Sequence, residues 1–388
     1  MPETRTDSSS INLLVVSAGL PAVIGGPTTA TVEACLAVHG NDVSVTLVAA
    51  TRDDPSERAA IDRLRTAGVR VRTFPLAGLA RRWSFGFRLA VWLLAAPRRY
   101  DVLHAHGAWT FTTLVALVAA KLHGRPVMLT PHESLTDFDV AKSRLPARAA
   151  KRLLRRVYVR AFDVVVCASQ LEHDDSLRHQ RGRAIVVPHP VPSQQRVIHP
   201  RQEGPLRVGF LGRFHPKKNL ALLIKALPNS ALLRVAGDGP SAVRERLRDL
   251  AEEVGAEERV EWLGFVGRVD RRAFFESIDL LAMPSAYESF GLAAAEALAA
   301  GVPVLVTRRV GVASLVTDHG CGFIVEPVVD EVRRVLTDAN DLGERAARTQ
   351  HAARELDPRT YAAKLSRVYR GLVASPRRYT PAVRRAAS

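Results

Sequence analysis

The stretch from Ile278 to Thr307 restricts this chain more than any other. It opens on a short apolar run, Ile278 to Met283, which reads as a buried parallel strand. A turn follows at Pro284 and Ser285. Gly291 to Ala300 is then nearly all Ala and Leu, the composition of a helix. Gly301 supplies a left-handed cap, Pro303 forbids continuation, and Val304 to Val306 re-enters a sheet. A strand, loop, helix and strand in this order require a parallel sheet covered by helices, which makes the chain an α/β protein. Glu288 stands in the loop ahead of the helix and Glu296 stands well inside it. A lone Glu in such a helix is most often solvated or salt-bridged. The alternative is that both carboxylates accept hydroxyl hydrogen bonds from a sugar-bearing ligand. Its phosphates would lie on the helix start near Ser289, Phe290, Gly291 and Leu292, where backbone amides and the helix dipole welcome an anion.

The same alternation runs through the first half. Apolar strands are expected at Ile11 to Ser17, Val43 to Val48, Val69 to Phe74, Asp101 to His104, Pro126 to Thr130, Phe162 to Cys167 and Ala184 to Val187. Between them lie helical segments from about Thr29 to Val38, Phe85 to Ala95 and Thr110 to Leu122. The loop after the first strand carries Gly25 and Gly26 and faces a ligand in many such sheets. It lacks the three-glycine dinucleotide fingerprint, and no acid closes the second strand, which argues against a nicotinamide enzyme. His104, His106 and His132 sit at or beyond strand ends, the edge where open parallel sheets bind ligands. His104 reads as a packed histidine and His106 as a pocket-edge group. No third ligand is spaced to complete a metal site with them. The run from Ser134 to Asp139 is expected as a flexible acceptor-side loop.

Pro190 to Pro205 is rich in Pro, Gln and charge and reads as a linker between two domains, which 388 residues comfortably supply. A second sheet begins at Leu206 to Leu211 and runs into Gly212-Arg213-Phe214-His215-Pro216-Lys217-Lys218-Asn219. Two basic side chains five residues apart at a strand end are able to converge on a diphosphate. The spacing excludes a Walker loop. Leu232 to Ala236 leads to the tight turn Gly237-Asp238-Gly239-Pro240, and Val260 to Leu263 leads to Gly264-Phe265-Val266. By turn chemistry alone these two are ordinary loops. The tail from about Val328 is helical, and Tyr361 to Val373 is amphipathic. Residues after Pro376 look disordered and basic.

Three widely spaced cysteines exclude a disulfide framework and point to a reducing cytoplasm. The first ten residues lack a signal-peptide core, and the longest apolar run is too short to span a bilayer. The formal charge of +16 is densest from Lys142 to Arg160, where Leu153, Leu154, Val157 and Tyr158 form an apolar stripe on a basic helix. That segment reads as an element facing an anionic membrane surface or polyphosphate, or as a solvated face of long Arg side chains. No nucleic-acid-binding motif accompanies the charge, so nucleic acid is not expected as a partner.

The Glu288 to Pro303 signature, together with Gly212-Arg213-Phe214 and Lys218, resembles the retaining, nucleotide-sugar-dependent glycosyltransferases of family 4. That resemblance covers nearly the whole chain. It implies the GT-B fold, two facing Rossmann-like domains with an interdomain cleft. The first domain, 1–191, would bind the acceptor and a linker would occupy 192–205. The second domain, 206–360, would bind the nucleotide sugar, and a helix with a basic tail, 361–388, would return to the first. The implied activity is transfer of a sugar from a nucleoside-diphosphate donor to an acceptor hydroxyl, in polysaccharide or glycolipid synthesis. No cofactor and no metal are expected, since by this resemblance the basic pair and the amides at the helix start replace the metal that other transferase folds use. By resemblance the catalytic residues are His132, Arg213, Lys218 and Glu288. Donor-binding residues would be Gly25, Gly26, Gly237, Asp238, Gly239, Phe265 and Val266 with Ser289 to Leu292 and Glu296. His106 and Glu133 would lie on the acceptor side. His189-Pro190 stands where relatives carry Pro-Asn-Gly residues. A nucleotide-sugar epimerase on a similar fold and a catalytically silent basic binding partner are the competing readings.

Overall fold

The computed structural model of the chain describes residues 10–20, 25–40, 42–52, 54–76, 86–177, 184–192 and 204–375. Its residues fall into two compact units. Unit 1 draws on Met1–Pro190 and Pro358–Ser388, and unit 2 is Val191–Asp357.

Unit 1 is built on a parallel sheet of seven strands: β1 Ile11–Ser17, β2 Val43–Thr51, β3 Arg70–Pro75, β4 Val102–His106, β5 Val127–Thr130, β6 Val164–Cys167 and β7 Ala184–Val186. Their order is β3-β2-β1-β4-β5-β6-β7, so the chain switches direction between β1 and β4. Such a switch opens a crevice at the carboxyl ends of the strands. The wholly apolar runs seen in the sequence are the interior strands β1, β4, β5 and β6, buried along almost their full length. β3, at an edge, alternates instead. On one face pack α1 Gly26–Val38, α2 Pro55–Thr66 and the last helix, α15 Pro358–Ala374. Tyr361, Ala362, Leu365, Val368, Tyr369 and Leu372 of α15 are buried in the same core as Val32 and Cys35 of α1. The other face carries α3 Phe87–Ala95, α4 Phe111–Leu122, α5 Asp137–Lys142, α6 Leu145–Arg160 and α7 Gln170–Leu177. Leu89, Leu93, Ala116, Ala120, Val159 and Leu177 fill the core beneath them.

Unit 2 repeats the plan with six parallel strands: β8 Leu206–Leu211, β9 Ala231–Ala236, β10 Val260–Gly264, β11 Leu280–Met283, β12 Val304–Thr307 and β13 Gly322–Val325. Their order, β10-β9-β8-β11-β12-β13, puts the switch between β8 and β11. The helices are α8 Leu220–Ala226, α9 Ser241–Glu253, α10 Arg271–Glu276, α11 Leu292–Ala300, α12 Ala313–His319, α13 Val329–Thr337 and α14 Leu342–Leu356.

Some expectations change. The strand expected to end at His104 continues to His106, so both imidazoles belong to β4. The expected flexible loop from Ser134 to Asp139 is ordered. Leu135 and Thr136 are buried, and the Thr136 hydroxyl accepts from Asp139 N at 3.1 Å to start α5. Gly291 is the left-handed residue ahead of α11, at φ 93°, rather than its first turn. Tyr158 leaves the apolar stripe of α6 and turns inward, its ring stacked on Trp109 with centroids 4.7 Å apart. The tail after Pro376, most of the linker (193–203), Phe85 and residues 21–24 of the first glycine loop lie outside the described residues.

Candidate functional site

In unit 2 the carboxyl ends of the strands gather two loops that the sequence places 70 residues apart. Asn219, left-handed at φ 54°, turns the first loop back and donates from Nδ2 to Pro284 O at 2.8 Å. Ala286 N donates to Lys217 O at 2.8 Å. These two bonds fasten the basic loop to the loop ahead of α11. Lys218 Nζ therefore meets Glu288 Oε1 at 2.9 Å, a charge contact lying off the angle of a hydrogen bond. Lys217 Nζ stands 3.7 Å from Glu288 Oε2. Glu288 is further fixed by its backbone. Its N–H donates to Arg309 O and its carbonyl accepts from Gly311 N, each at 2.9 Å. Arg309 in turn lies over the Tyr287 ring. The Lys218 stem passes over Gly212.

The neighbouring turns are tied into the same edge. Gly237 N donates to Gly264 O at 2.7 Å and Phe214 N to Asp238 O at 2.9 Å, joining the ends of β8, β9 and β10. Asp238 accepts from Gly239 N and from Arg244. Phe265 is exposed beyond β10, a free apolar surface beside these turns. Glu296 is buried in the second turn of α11 and forms an ion pair with Arg271 Nη1 of α10. Sequence reading missed Arg271, whose setting among charged residues gave no signal. Arg213, Lys218, Glu288 and the amino end of α11 thus share one edge of unit 2, with Glu296 one turn deeper.

In unit 1 the crevice edge holds a row of imidazoles. His104 is fully enclosed, bonded through Nδ1 to the Tyr369 hydroxyl at 2.9 Å and through Nε2 to Thr130 Oγ1 at 2.8 Å. It is a packed histidine. His106 is also buried, and not a group on a pocket's rim: its Nδ1 lies 3.0 Å from His132 Nε2 and 3.2 Å from Thr31 Oγ1. Its ring is drawn under cover because β4 extends that far. The His189 ring follows, 5.1 Å from that of His132. Burial holds His104 near 3 and His189 near 4, and it holds His106 and His132 well below the ordinary imidazole value. Their mutual proximity adds to this for His106 and His132, so the row is neutral at pH 7. Among the described residues no group of three or more His, Cys, Asp or Glu is disposed to hold a metal ion.

His132 and Glu133 are both left-handed, at φ 50° and 73°. Two adjacent residues with a Cβ in that region carry strain of about 1–3 kcal/mol each and need a brace. Glu172 supplies it. Its buried carboxylate accepts from Glu133 N and from Ala168 N, both at 2.7 Å. Burial lifts its pKa to about 7, more than the two N–H donors lower it. The Glu133 side chain points away to Lys142 at 3.3 Å. Gly25, at φ 73°, and Gly26 begin α1, on which Thr31 stands. Glu172 looked like any acidic helix residue, and only its place in the first turn of α7, three residues after Ser169, hinted otherwise.

Two doubly wound parallel units in one chain, each with its loops gathered at the strand ends, define the GT-B class of glycosyltransferase fold. Two family models agree: Glycosyltransferase Family 4 matches residues 24–195, and Glycosyl transferases group 1 matches residues 193–356. The chain belongs to the family 4 glycosyltransferases. It is 30% identical over 298 residues to a D-inositol 3-phosphate glycosyltransferase of Streptomyces avermitilis, covering 68% of this chain and 63% of the relative. It is 28% identical over 278 residues to a 2-deoxystreptamine N-acetyl-D-glucosaminyltransferase of Streptomyces fradiae, covering 65% of each. The chain therefore spans a little under two thirds of these relatives' own length. Its fold is similar to that of Anabaena HepE in complex with UDP, with a TM-score of 0.74 at 19% identity over 92% of this chain and 99% of that one. Sucrose-phosphate synthase of Thermosynechococcus elongatus gives 0.72 at 19% identity, over 94% of this chain and the whole of that one. These relatives give no support to the epimerase or silent-partner readings.

Proposed function

We propose that this chain transfers a glycosyl group from a nucleoside-diphosphate sugar to an acceptor hydroxyl, with retention at the anomeric carbon and without a metal ion. The observation that carries the reading is the clamp of unit 2. Lys218 stands 2.9 Å from Glu288, on loops fastened by Asn219 and Ala286, beside the amino end of α11. Glycosyl transfer needs the charge on the departing diphosphate stabilised as the glycosidic bond breaks. Arg213, Lys218 and the amides of Phe290 to Leu292 take that role. Glu288 then accepts hydroxyls of the donor sugar, and Lys218 passes from the carboxylate to the phosphate when donor enters. Glu296, steadied by Arg271, accepts the ribose hydroxyls. Ser289 and Gly291 complete the loop, while Gly237, Asp238, Gly239, Phe265 and Val266 surround the nucleoside.

In unit 1, Gly25 and Gly26 seat phosphate or acceptor, His132 meets the transferred sugar, and His106 and Glu133 serve the acceptor side, His106 from beneath. The acceptor oxygen attacks from the face that the diphosphate leaves. The departing phosphate oxygen takes the acceptor proton, so no covalent sugar–enzyme bond forms. HepE is named with UDP and UDP-glucose, which makes UDP-glucose the first donor to try. A cytoplasmic setting suits the three buried free thiols. We read the acceptor as a lipid-linked or phosphate-bearing compound met at the inner face of the cell membrane.

The test is a thermal-shift panel of UDP, GDP, ADP and dTDP sugars, followed by NMR of the anomeric product. A bound donor raises the melting temperature by mass action, and the product keeps the donor's anomeric configuration. No shift with any nucleoside diphosphate would overturn the reading.

A further inference from the structure

Three neighbouring helices cover one face of the unit 1 sheet, and their inward sides fill one core: Leu89 and Leu93 from α3, Ala116 and Ala120 from α4, Val159 from α6. Their outward sides are apolar as well. On α3, Phe87, Val91 and Leu94 recur at helical spacing on the solvent side, with Phe87 72% exposed. Leu114, Val118 and Leu122 do the same along α4. On α6, Leu145, Leu153, Leu154 and Val157 are exposed, Leu153 to 79%. Ten of the sixteen large apolar side chains exposed among the described residues stand on these three helices. Apolar outward sides on three helices that share one core mark a contact surface.

Charge selects what it contacts. The sequences of α3, α4 and α6 contain no Asp or Glu, while six of the sixteen residues of α6 are basic. Lys151 and Arg155 turn toward Asp139 and Asp137 of α5, at 3.9 Å and 2.8 Å. Arg152, Arg156 and Arg160 stay exposed in a row, one helical turn apart, beside Leu153 and Val157. Helices whose outward sides pair apolar residues with Arg suit the boundary between acyl chains and anionic headgroups. A second copy of this face is disfavoured, because an isologous contact would bring together two basic surfaces whose three helices carry no Asp or Glu.

We propose that unit 1 docks on an anionic lipid bilayer through the outward face of α3, α4 and α6. This deepens the reading of a membrane-side acceptor, yet the surface is tested without any donor or acceptor. None of the residues it uses belongs to the proposed catalytic machinery.

The experiment is flotation of the full chain with vesicles of phosphatidylcholine containing about a third phosphatidylglycerol, against phosphatidylcholine alone. The expected result is binding at least tenfold stronger to the anionic vesicles and weakened by salt. Both the double variant Leu153→Ser/Val157→Ser and the triple variant Arg152→Gln/Arg156→Gln/Arg160→Gln should bind the anionic vesicles at least tenfold less than wild type. The melting temperature of each should stay close to that of wild type, since the replaced side chains are exposed. Val269→Ser, exposed in unit 2, should leave binding unchanged. Equal flotation with both vesicle types, or undiminished flotation of the two variants, would overturn the proposal. A chain that elutes as a dimer and becomes a monomer in the Leu153→Ser/Val157→Ser variant would overturn it too, by assigning the face to self-association.

Discussion

Replacing Gly237 with Ala tests how the donor-side loops are held. A Cβ at this position would lie 1.8 Å from Gly212 O and 2.9 Å from Gly212 C, both backbone atoms, and 3.4 Å from Phe214 Cε1. To reach even 3.0 Å from that oxygen, the two backbones must part by about 1.2 Å. The movement opposes Gly212 N→Ala236 O at 3.0 Å and Phe214 N→Asp238 O at 2.9 Å, which lie on either side of the clash. Losing both bonds costs about 1–3 kcal/mol. The φ of +153° at Gly237 adds roughly another 1–3 kcal/mol for a residue with a Cβ. The total, about 2–6 kcal/mol, approaches the lower end of a domain's stability. It corresponds to a fall of roughly 5–20 °C in Tm for a unit of this size. Scanning calorimetry measures it, with Trp262 fluorescence as a local reporter because that ring lies 6.0 Å from Phe214. Weakened or lost binding of UDP should accompany the shift. Gly255→Ala is the control: its φ is +63° and no atom lies within 4 Å of the added carbon, so it should cost only about 1–2 kcal/mol. If Gly237→Ala melts within 2 °C of wild type and binds UDP normally, the junction of these loops is not the tight one described.

Lys218→Ala removes the charge nearest Glu288 and should weaken UDP binding by roughly 10- to 100-fold, the worth of one charge-assisted bond, as read by calorimetric titration. Lys217→Ala, whose ammonium stands further from Glu288, should weaken it by less than about threefold. Glu172 titrates near 7 in the folded chain against 4.5 as a free side chain, so the folded state holds its proton more tightly. Its contribution to stability is full below pH 4.5 and lost as pH rises to 7, and the urea midpoint of Glu172→Gln against pH should lack that component. The imidazole row has the opposite sign. His189 titrates near 4 when folded and 6.5 otherwise, so stability falls as pH drops from 6.5 toward 4, and His189→Asn should lessen that slope by up to one proton.

The layers of both units were legible because interior parallel strands must be apolar on both faces, and runs such as Ile11 to Ser17 and Val304 to Val306 have no other use. The Arg213 to Asn219 and Glu288 to Pro303 stretches were legible as a pair because each carries its charge at a strand end beside a turn residue. What escaped was whatever depends on partners distant in sequence. Thr31 meets His106, Glu172 braces Glu133, and Arg271 pairs with Glu296, each through a contact that no local pattern encodes. The helix α5 had a readable signal, Thr136 three residues ahead of Asp139, a spacing typical of a helix start. The inward turn of Tyr158 had none, since its place on the apolar side of α6 suited either a covered or an open ring.

The last helix gives the chain a particular order of assembly. Unit 1 takes Tyr361, Leu365 and Tyr369 into its core, yet these residues are synthesised after every strand of unit 2. A ribosome must therefore finish the later sheet before the earlier one can close over Cys35 and supply His104 with its phenol partner. A nascent chain stopped at Asp357 would hold a complete unit 2 beside a unit 1 whose α1 still shows an uncovered apolar side.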